Sequence, residues 1–123
     1  MGRKKILLVD DSNTVILMEK MILAKGPYDI VVAKDGQEGV EKAASEKPDL
    51  IVMDVMMPRM TGFEACKHLR SQKSTAATPI ILVTTRGEEQ SVKSGREAGC
   101  SDYVTKPING AELLSKVRGY LGA

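Results

Sequence analysis

The stretch DLIVMD, residues 49–54, decides the fold class of this chain. Its four central residues are all apolar, and the run is too short for a helix of ordinary length. The Ile and Val content favours a strand, and the unbroken apolar character is typical of a strand buried on both faces of a parallel sheet. Asp54 ends the run, and the apolar residues Val55, Met56 and Met57 follow it. A carboxylate at the tip of a buried strand is either a satisfied structural group or a group that does chemistry.

Four further apolar runs have the same character as this stretch. They are KKILLVD (4–10), YDIVVA (28–33), PIILVT (79–84) and the weaker SDYVT (101–105). Amphipathic segments separate all five runs, and no long linker or low-complexity segment interrupts the alternation. The pattern predicts one α/β domain over residues 1–123, with a doubly wound, five-stranded parallel sheet and five helices.

Helix signals lie in the segments between the predicted strands. Ser12 is a candidate N-cap for the first helix, and Val15, Met18 and Ile22 share one face of it. Paired cap residues or a closing proline mark other helix ends: Asp35 with Glu38, Asn109 with Glu112, Gly26–Pro27 and Lys47–Pro48. These signals place the helix boundaries within a few residues.

The composition indicates a soluble globular protein of the reduced cytosol. Hydrophobic residues make up 42% of the 123 residues, and the net charge of +2 provides no large basic field for nucleic acid. No apolar run approaches the roughly 20 residues that span a bilayer, so neither a membrane span nor a secretory signal is indicated. Cys66 and Cys100 form no CxxC pair, and the single histidine, His68, completes no zinc site.

Polar residues stand at the carboxyl ends of four predicted strands. Asp10 and Asp11 end the first strand, Asp54 the third, Thr84 the fourth and Lys106 the fifth. In doubly wound sheets ligands bind in the crevice beyond the carboxyl ends of the strands, so these five side chains are expected to converge there. Asp54 is therefore short of polar neighbours in sequence but not in space.

The predicted cluster has the groups that phosphoryl transfer onto protein requires. Carboxylates at close range repel one another, and a hard divalent cation such as Mg²⁺ relieves that repulsion. One remaining carboxylate oxygen can then attack phosphorus to form an aspartyl phosphate. Lys106 offers a positive charge, and Thr84 a hydroxyl donor, for the oxygens of the transferred group.

Four motifs together resemble the receiver domains of two-component response regulators, in particular single-domain regulators of the chemotaxis type. They are LLVDDS (7–12), VMDVMMP (52–58) followed by Gly62, VTT (83–85) and YVTKP (103–107). The resemblance runs from the first strand to the last helix and implies a flavodoxin-like fold. The combination of motifs is highly specific, although each motif alone is weak.

The resemblance implies a role for each matching residue. Asp54 would be phosphorylated, and Asp10, Asp11, Asp54 and the main-chain carbonyl of Met56 would hold Mg²⁺, with Mn²⁺ as an alternative. Lys106 and Thr84 would contact the phosphoryl group, Thr84 and Tyr103 would form a coupled switch, and the Lys106–Pro107 bond would be cis. Taken alone, each of these residues also has a purely structural explanation. Asp10 and Asp11 could cap a helix, Lys106 could be a surface residue, and Thr84 and Tyr103 could be ordinary strand residues.

Two side chains would flank the phosphoryl group in such a receiver. They are Met56, two residues after Asp54, and Arg86, two residues after Thr84. Met56 cannot orient a water molecule, so our hypothesis is that the phosphorylated form is longer-lived than in receivers with an amide there. Arg86 would contact either the phosphoryl group or its donor, and both alternatives stay open.

The resemblance also implies partners and an output. The phosphoryl group would come from a histidine kinase, a phosphotransfer protein or a small phosphodonor, and a changed surface near residues 86–98 and 103–120 would control an unidentified protein. The chain would be a cytoplasmic signalling protein that catalyses only its own phosphorylation and dephosphorylation, without binding nucleic acid or membrane. If the chain is part of a longer regulator, its output domain lies elsewhere.

Three other functions use similar residues or a similar strand pattern. A haloacid-dehalogenase-type phosphatase needs a second carboxylate two residues after the first, where this chain has Met56. A flavodoxin-like electron carrier needs a phosphate-binding loop after the first strand, where this chain has Asp10 and Asp11. A receiver fold that only docks other proteins, without phosphorylation, stays open.

Overall fold

The computed structural model describes residues 3–85 and 89–122, except for the side chains of residues 85 and 89–92. Along these residues, strands and helices alternate. The strands are β1 (Lys4–Val9), β2 (Tyr28–Ala33), β3 (Leu50–Asp54), β4 (Ile80–Thr85) and β5 (Asp102–Lys106). The helices are α1 (Asn13–Leu23), α2 (Gly36–Glu46), α3 (Gly62–Ser71), α4 (Glu89–Ala98) and α5 (Gly110–Leu121).

The five strands form one parallel sheet in the order β2-β1-β3-β4-β5. All five residues of β3 are buried, whereas the edge strands β2 and β5 are partly exposed. α1 packs beside α5, and α3 packs beside both α2 and α4. The predicted fold class, a doubly wound parallel sheet with five helices, is confirmed.

A separate apolar core fills each side of the sheet. Alternate residues of one strand belong to different cores, so Leu7 faces one core and Leu8 the other. The core on the α1 and α5 side includes Ile16 and Leu23 from α1 and Leu113 from α5. Buried carboxylates stand where β1 and β3 end, at Asp10 and Asp54.

The predicted cap residues form the helix ends in the structure. The side chains of Ser12, Asp35 and Asn109 accept hydrogen bonds from the backbone N–H groups three residues on and begin α1, α2 and α5. Thr61 and Glu64 form a reciprocal capping box at the start of α3, which fixes the chain direction soon after Asp54.

The face of α1 that Val15, Met18 and Ile22 share is not the face that the fold buries most deeply. Met18 is 41% exposed and Val15 is only half-buried, while the fully buried residues of this helix are Ile16, Glu19 and Leu23. Apolar residues lie nearly all round α1, so helical periodicity alone allows several orientations. Packing against β1, β2 and α5 selects the orientation that buries Glu19.

Within the described parts of the chain, every helix is too short or too polar to cross a lipid bilayer.

Candidate functional site

Three carboxylates meet at the carboxyl edge of the sheet. One oxygen each from Asp10, Asp11 and Asp54 lies within 4.8 Å of the other two. Strand register explains the meeting: Val9 pairs with Met53, so the residues after Val9 reach the same level as Asp54 at the end of β3. Asp10 and Asp54 are buried, whereas Asp11 is exposed. The cluster therefore has two buried carboxylates and one that is open to solvent.

Only one of the two carboxylate oxygens of Asp10 accepts a hydrogen bond from the described residues. Its Oδ1 accepts a hydrogen bond from the backbone N–H of Ser12 at 2.9 Å. Its Oδ2 is buried and has no hydrogen-bond partner among the described residues. Burial raises the pKa of the Asp10 carboxyl, the Ser12 N–H opposes that rise, and the negative charge of Asp54 adds to it. An unpaired buried carboxylate oxygen is costly, and a positively charged ligand would offset that cost.

Lys106 supplies a positive charge beside Asp54. Its Nζ lies 3.2 Å from Asp54 Oδ1, and its side chain is about one-third exposed. Burial raises the pKa of the Asp54 carboxyl, although the Lys106 ammonium and the N–H groups of Met56 and Val55 act in the opposite direction. The peptide bond between Lys106 and Pro107 is cis.

Thr84 and Tyr103 lie on the neighbouring strands β4 and β5. Asp54 pairs with Val83, so the buried Thr84 stands one residue beyond the level of Asp54. Tyr103 is partly buried and pairs with Leu82, two residues before Thr84 on the same face of the sheet. The Nζ of Lys116 lies 5.2 Å from the centroid of the Tyr103 ring and donates to Tyr103 O at 2.7 Å.

The loop after β3 folds back tightly against Asp54. The N–H of Gly62 donates to Val55 O at 2.9 Å, which closes a loop that contains Met56. The Met56 side chain is 70% exposed at this edge of the sheet. A Cβ built on Gly62 would lie 2.5 Å from Asp54 O and 2.9 Å from Val55 Cα. Only glycine allows the start of α3 to approach the backbone of Asp54 so closely.

The Gly62→Ala variant is expected to be less stable by about 2 kcal/mol or more, because the new methyl group collides with backbone rather than with a flexible side chain. Urea denaturation measures the change. Gly119→Ala is the matched control, since nothing lies within 4 Å of a Cβ there and the residue is on the exposed side of α5. That control is expected to gain roughly 0.5–1 kcal/mol from helix propensity. Equal effects at the two glycines would contradict the predicted collision.

The predicted site residues have different outcomes. Asp10, Asp11, Asp54 and Lys106 come together, and Thr84 lies on the strand beside Asp54. The predicted role of Arg86 falls on a residue outside the described ranges.

Two charged residues near the site were missed in the sequence. Glu19 is 1% exposed, and its spacing from Ile16 and Leu23 on α1 is the signal that identifies it as a core position. Lys116 contacts Tyr103 from α5, and only the fold brings these two residues together.

Comparison with known proteins connects this geometry to a family. Residues 6–118 match the model of the response regulator receiver domain. The alkaline phosphatase synthesis transcriptional regulatory protein PhoP of Bacillus subtilis is 43% identical over 118 residues, which are 96% of this chain and 48% of that protein. The chain thus spans about half the length of this curated relative.

Two solved structures share the fold over nearly the whole chain. The chemotaxis response regulator CheY4 of Vibrio cholerae has a TM-score of 0.90 and 34% identity, covering 97% of this chain and 99% of that one. The receiver domain of the sensor histidine kinase PA1611 from Pseudomonas aeruginosa, solved with a magnesium ion in its active-site cleft, has a TM-score of 0.89 and 28% identity, with 100% of both chains covered. The chain therefore belongs to the family of response regulator receiver domains of two-component systems.

Proposed function

We propose that this receiver domain accepts a phosphoryl group on Asp54 in a reaction that depends on a divalent cation, and that the modified domain controls a partner protein. The observation that carries the proposal is the cluster of Asp10, Asp11 and Asp54 with Lys106 Nζ 3.2 Å from Asp54. Three carboxylates with one ammonium leave an excess of negative charge that a cation would balance.

The donor set fits a hard cation such as Mg²⁺, or Mn²⁺ as an alternative. Both ions prefer oxygen ligands. Asp10 Oδ2, which is buried and has no hydrogen-bond partner among the described residues, is an oxygen of that kind. We expect Asp10, Asp11, Asp54 and the main-chain carbonyl of Met56 to hold the ion. The magnesium ion in the active-site cleft of the PA1611 receiver domain supports the choice of ion. When bound, the ion would neutralise the carboxylates and the oxygens of the incoming phosphoryl group.

In the proposed phosphoryl transfer, Asp54, Lys106 and Thr84 have different roles. A carboxylate oxygen of Asp54 attacks phosphorus, a new O–P bond forms, and the bond from phosphorus to the donor breaks with its electron pair leaving on the donor. We expect Lys106 to balance the charge of the transferred oxygens and the Thr84 hydroxyl to donate to one of them. Burial of Asp54 limits the access of water to the acyl phosphate.

The proposed partners follow from the family. A histidine kinase or a phosphotransfer protein would supply the phosphoryl group, and a protein target would recognise the modified domain. The added charge, roughly −1.5 to −2, would draw Thr84 toward the new oxygens and change the space open to Tyr103. Phosphorylation can shift the equilibrium between two conformations of the domain only as far as its interaction free energy differs between them. Tyr103 and Lys116 connect this change to α5, which belongs to the proposed output face.

The direct test is the intact mass after incubation with a small acyl-phosphate donor, with and without Mg²⁺. We expect one added phosphoryl group that requires both Mg²⁺ and Asp54, so the Asp54→Asn variant should gain none. Asp29→Asn, at an exposed carboxylate on β2, is the matched control and should be phosphorylated like the parent. No gain under any condition would overturn phosphorylation and favour a receiver fold that only docks other proteins.

Met56→Asn is expected to shorten the lifetime of the phosphorylated form severalfold. An amide at this exposed position beside Asp54 can orient a water molecule toward phosphorus, which the thioether cannot do. The measurement is the loss of the added mass over time after removal of the donor. Met21→Asn, at an equally exposed methionine on α1, controls for the loss of an apolar side chain. A variant that loses phosphate no faster than the parent would remove the hypothesis.

A further inference from the structure

Glu19 is a carboxyl group enclosed in an apolar core. It lies on α1 between Ile16 and Leu23, and both of these neighbours belong to the core that α1 and α5 form with the sheet. Glu19 is only 1% exposed. Its Oε1 is buried without a hydrogen-bond partner among the described residues. An ionised carboxylate in such a place is strongly disfavoured, because apolar surroundings compensate its charge poorly.

Among the described residues, the charges that act on Glu19 belong to the candidate site. They are Asp10 after β1, Asp54 at the end of β3 and Lys106 at the end of β5, and the two aspartates act more strongly than the lysine. The charged side chains on β2 and α5 are directed elsewhere: Asp29, Glu112 and Arg118 are exposed, and Lys116 pairs with Asp102 at 3.0 Å. On α1 itself, Lys20 is exposed.

Burial and the neighbouring aspartates favour a proton on this group. Burial is the main cause and Asp10 the next, and together with Asp54 they raise the pKa of Glu19 to about 8. At neutral pH the side chain is thus a neutral carboxylic acid. The receiver core therefore contains a titratable group with no assigned role, beside the cluster that is proposed to change charge during signalling.

We propose that Glu19 is a proton-binding site coupled to the acidic cluster, holding its proton while Asp10, Asp11 and Asp54 lack a cation and releasing it more readily once a divalent cation neutralises them. This inference rests on the proposed cation binding. Its physical basis is linkage: a positive charge at the cluster favours the ionised form of Glu19, and ionised Glu19 favours the cation by the same factor. Cation binding should therefore strengthen as the pH rises through the titration of Glu19.

Phosphorylation acts on Glu19 with the opposite sign. It adds negative charge at Asp54, which disfavours a second negative charge on Glu19. Phosphorylation therefore favours the protonated form of Glu19, whereas the cation favours the ionised form. When the site holds both a cation and a phosphoryl group, a protonated Glu19 would add no negative charge to repel the phosphoryl group.

The test is a pH titration of the Glu19 carboxyl carbon by NMR in protein labelled with ¹³C-glutamate, with and without Mg²⁺. Glu19→Gln assigns the resonance, and carboxyl-to-backbone correlation in the parent assigns it if that variant does not fold. We expect a midpoint near 8 without the ion and an acid dissociation constant about fivefold larger, or more, with Mg²⁺. A midpoint in the ordinary range of glutamate, or one that Mg²⁺ leaves unchanged, would overturn the inference.

The backbone amides of Asp10 and Asp54 separate this inference from the proposed function in the same spectra. If these amides shift with Mg²⁺ while the Glu19 midpoint does not, the cation site stands and the coupling is wrong. If neither responds, the proposed Mg²⁺ site and the coupling are both overturned. As a second readout, Mg²⁺ affinity should rise more steeply from pH 6.5 to 9 in the parent than in Glu19→Gln, whose neutral amide imitates the protonated acid.

Discussion

Raising the pH from 5 to 8 is expected to lower the free energy of unfolding by roughly 3 to 4 kcal/mol through Glu19 alone. Burial raises the pKa of Glu19 from 4.5 to about 8 in the folded domain. Between these two values the unfolded chain has lost the proton and the folded chain keeps it. The folded state then binds more protons, so its stability falls as the pH rises, by about 1.4 kcal/mol for each pH unit. The contribution of Glu19 is fully present below pH 4.5 and is lost as the pH passes the folded pKa.

Urea denaturation at intervals from pH 5 to 8 measures this effect when the parent is compared with Glu19→Gln. The glutamine is neutral and of the same shape, so the variant should be close to the parent at pH 5 and clearly more stable at pH 8. Asp10 and Asp54 also have raised pKa values, but both proteins share them and the difference isolates Glu19. Glu41→Gln, at an exposed position on α2, should follow the parent at every pH. Parallel curves for parent and Glu19→Gln would contradict the prediction.

Replacing Lys106 with methionine is expected to slow phosphorylation of Asp54 by roughly 100-fold or more, the usual cost of removing one preorganised group that stabilises transition-state charge. The Lys106 ammonium is 3.2 Å from Asp54 Oδ1, so it is already in place before the phosphoryl group arrives. Its loss also removes a charge that lowers the pKa of Asp54, which leaves the nucleophile less ionised. The initial rate of mass gain from a small acyl-phosphate donor at saturating Mg²⁺ gives the measurement.

Two controls distinguish the role of Lys106 in the site from a general effect of charge. Lys67→Met removes an exposed lysine from α3 and should leave the rate near that of the parent. Lys106→Arg keeps the charge but places it on a wider, planar group, so it should recover only part of the rate. Circular dichroism checks that each variant is folded. A Lys106→Met rate close to the parent's would show that the lysine has only a structural part.

Much of this fold and candidate site could be predicted from residue types. Continuous apolar runs such as LIVM, before Asp54, identified buried strands, and cap residues such as Ser12 and Asp35 identified helix starts. The rule that ligands bind beyond the carboxyl ends of parallel strands then predicted that Asp10, Asp54 and Lys106 would meet. These inferences succeeded because they depend on local propensity and on one general property of the fold.

Only the tertiary structure decided which face of α1 is buried, and with it the position of Glu19. The helix has apolar residues nearly all round, so Val15, Met18 and Ile22 satisfied the periodicity as well as Ile16 did. The contact of Lys116 with Tyr103 and the close approach of Gly62 to Asp54 were equally invisible in the sequence. These features depend on how helices and strands that are distant along the chain pack together. The free energy of burying a side chain depends on every surface that packs against it, and those surfaces are known only from the tertiary structure.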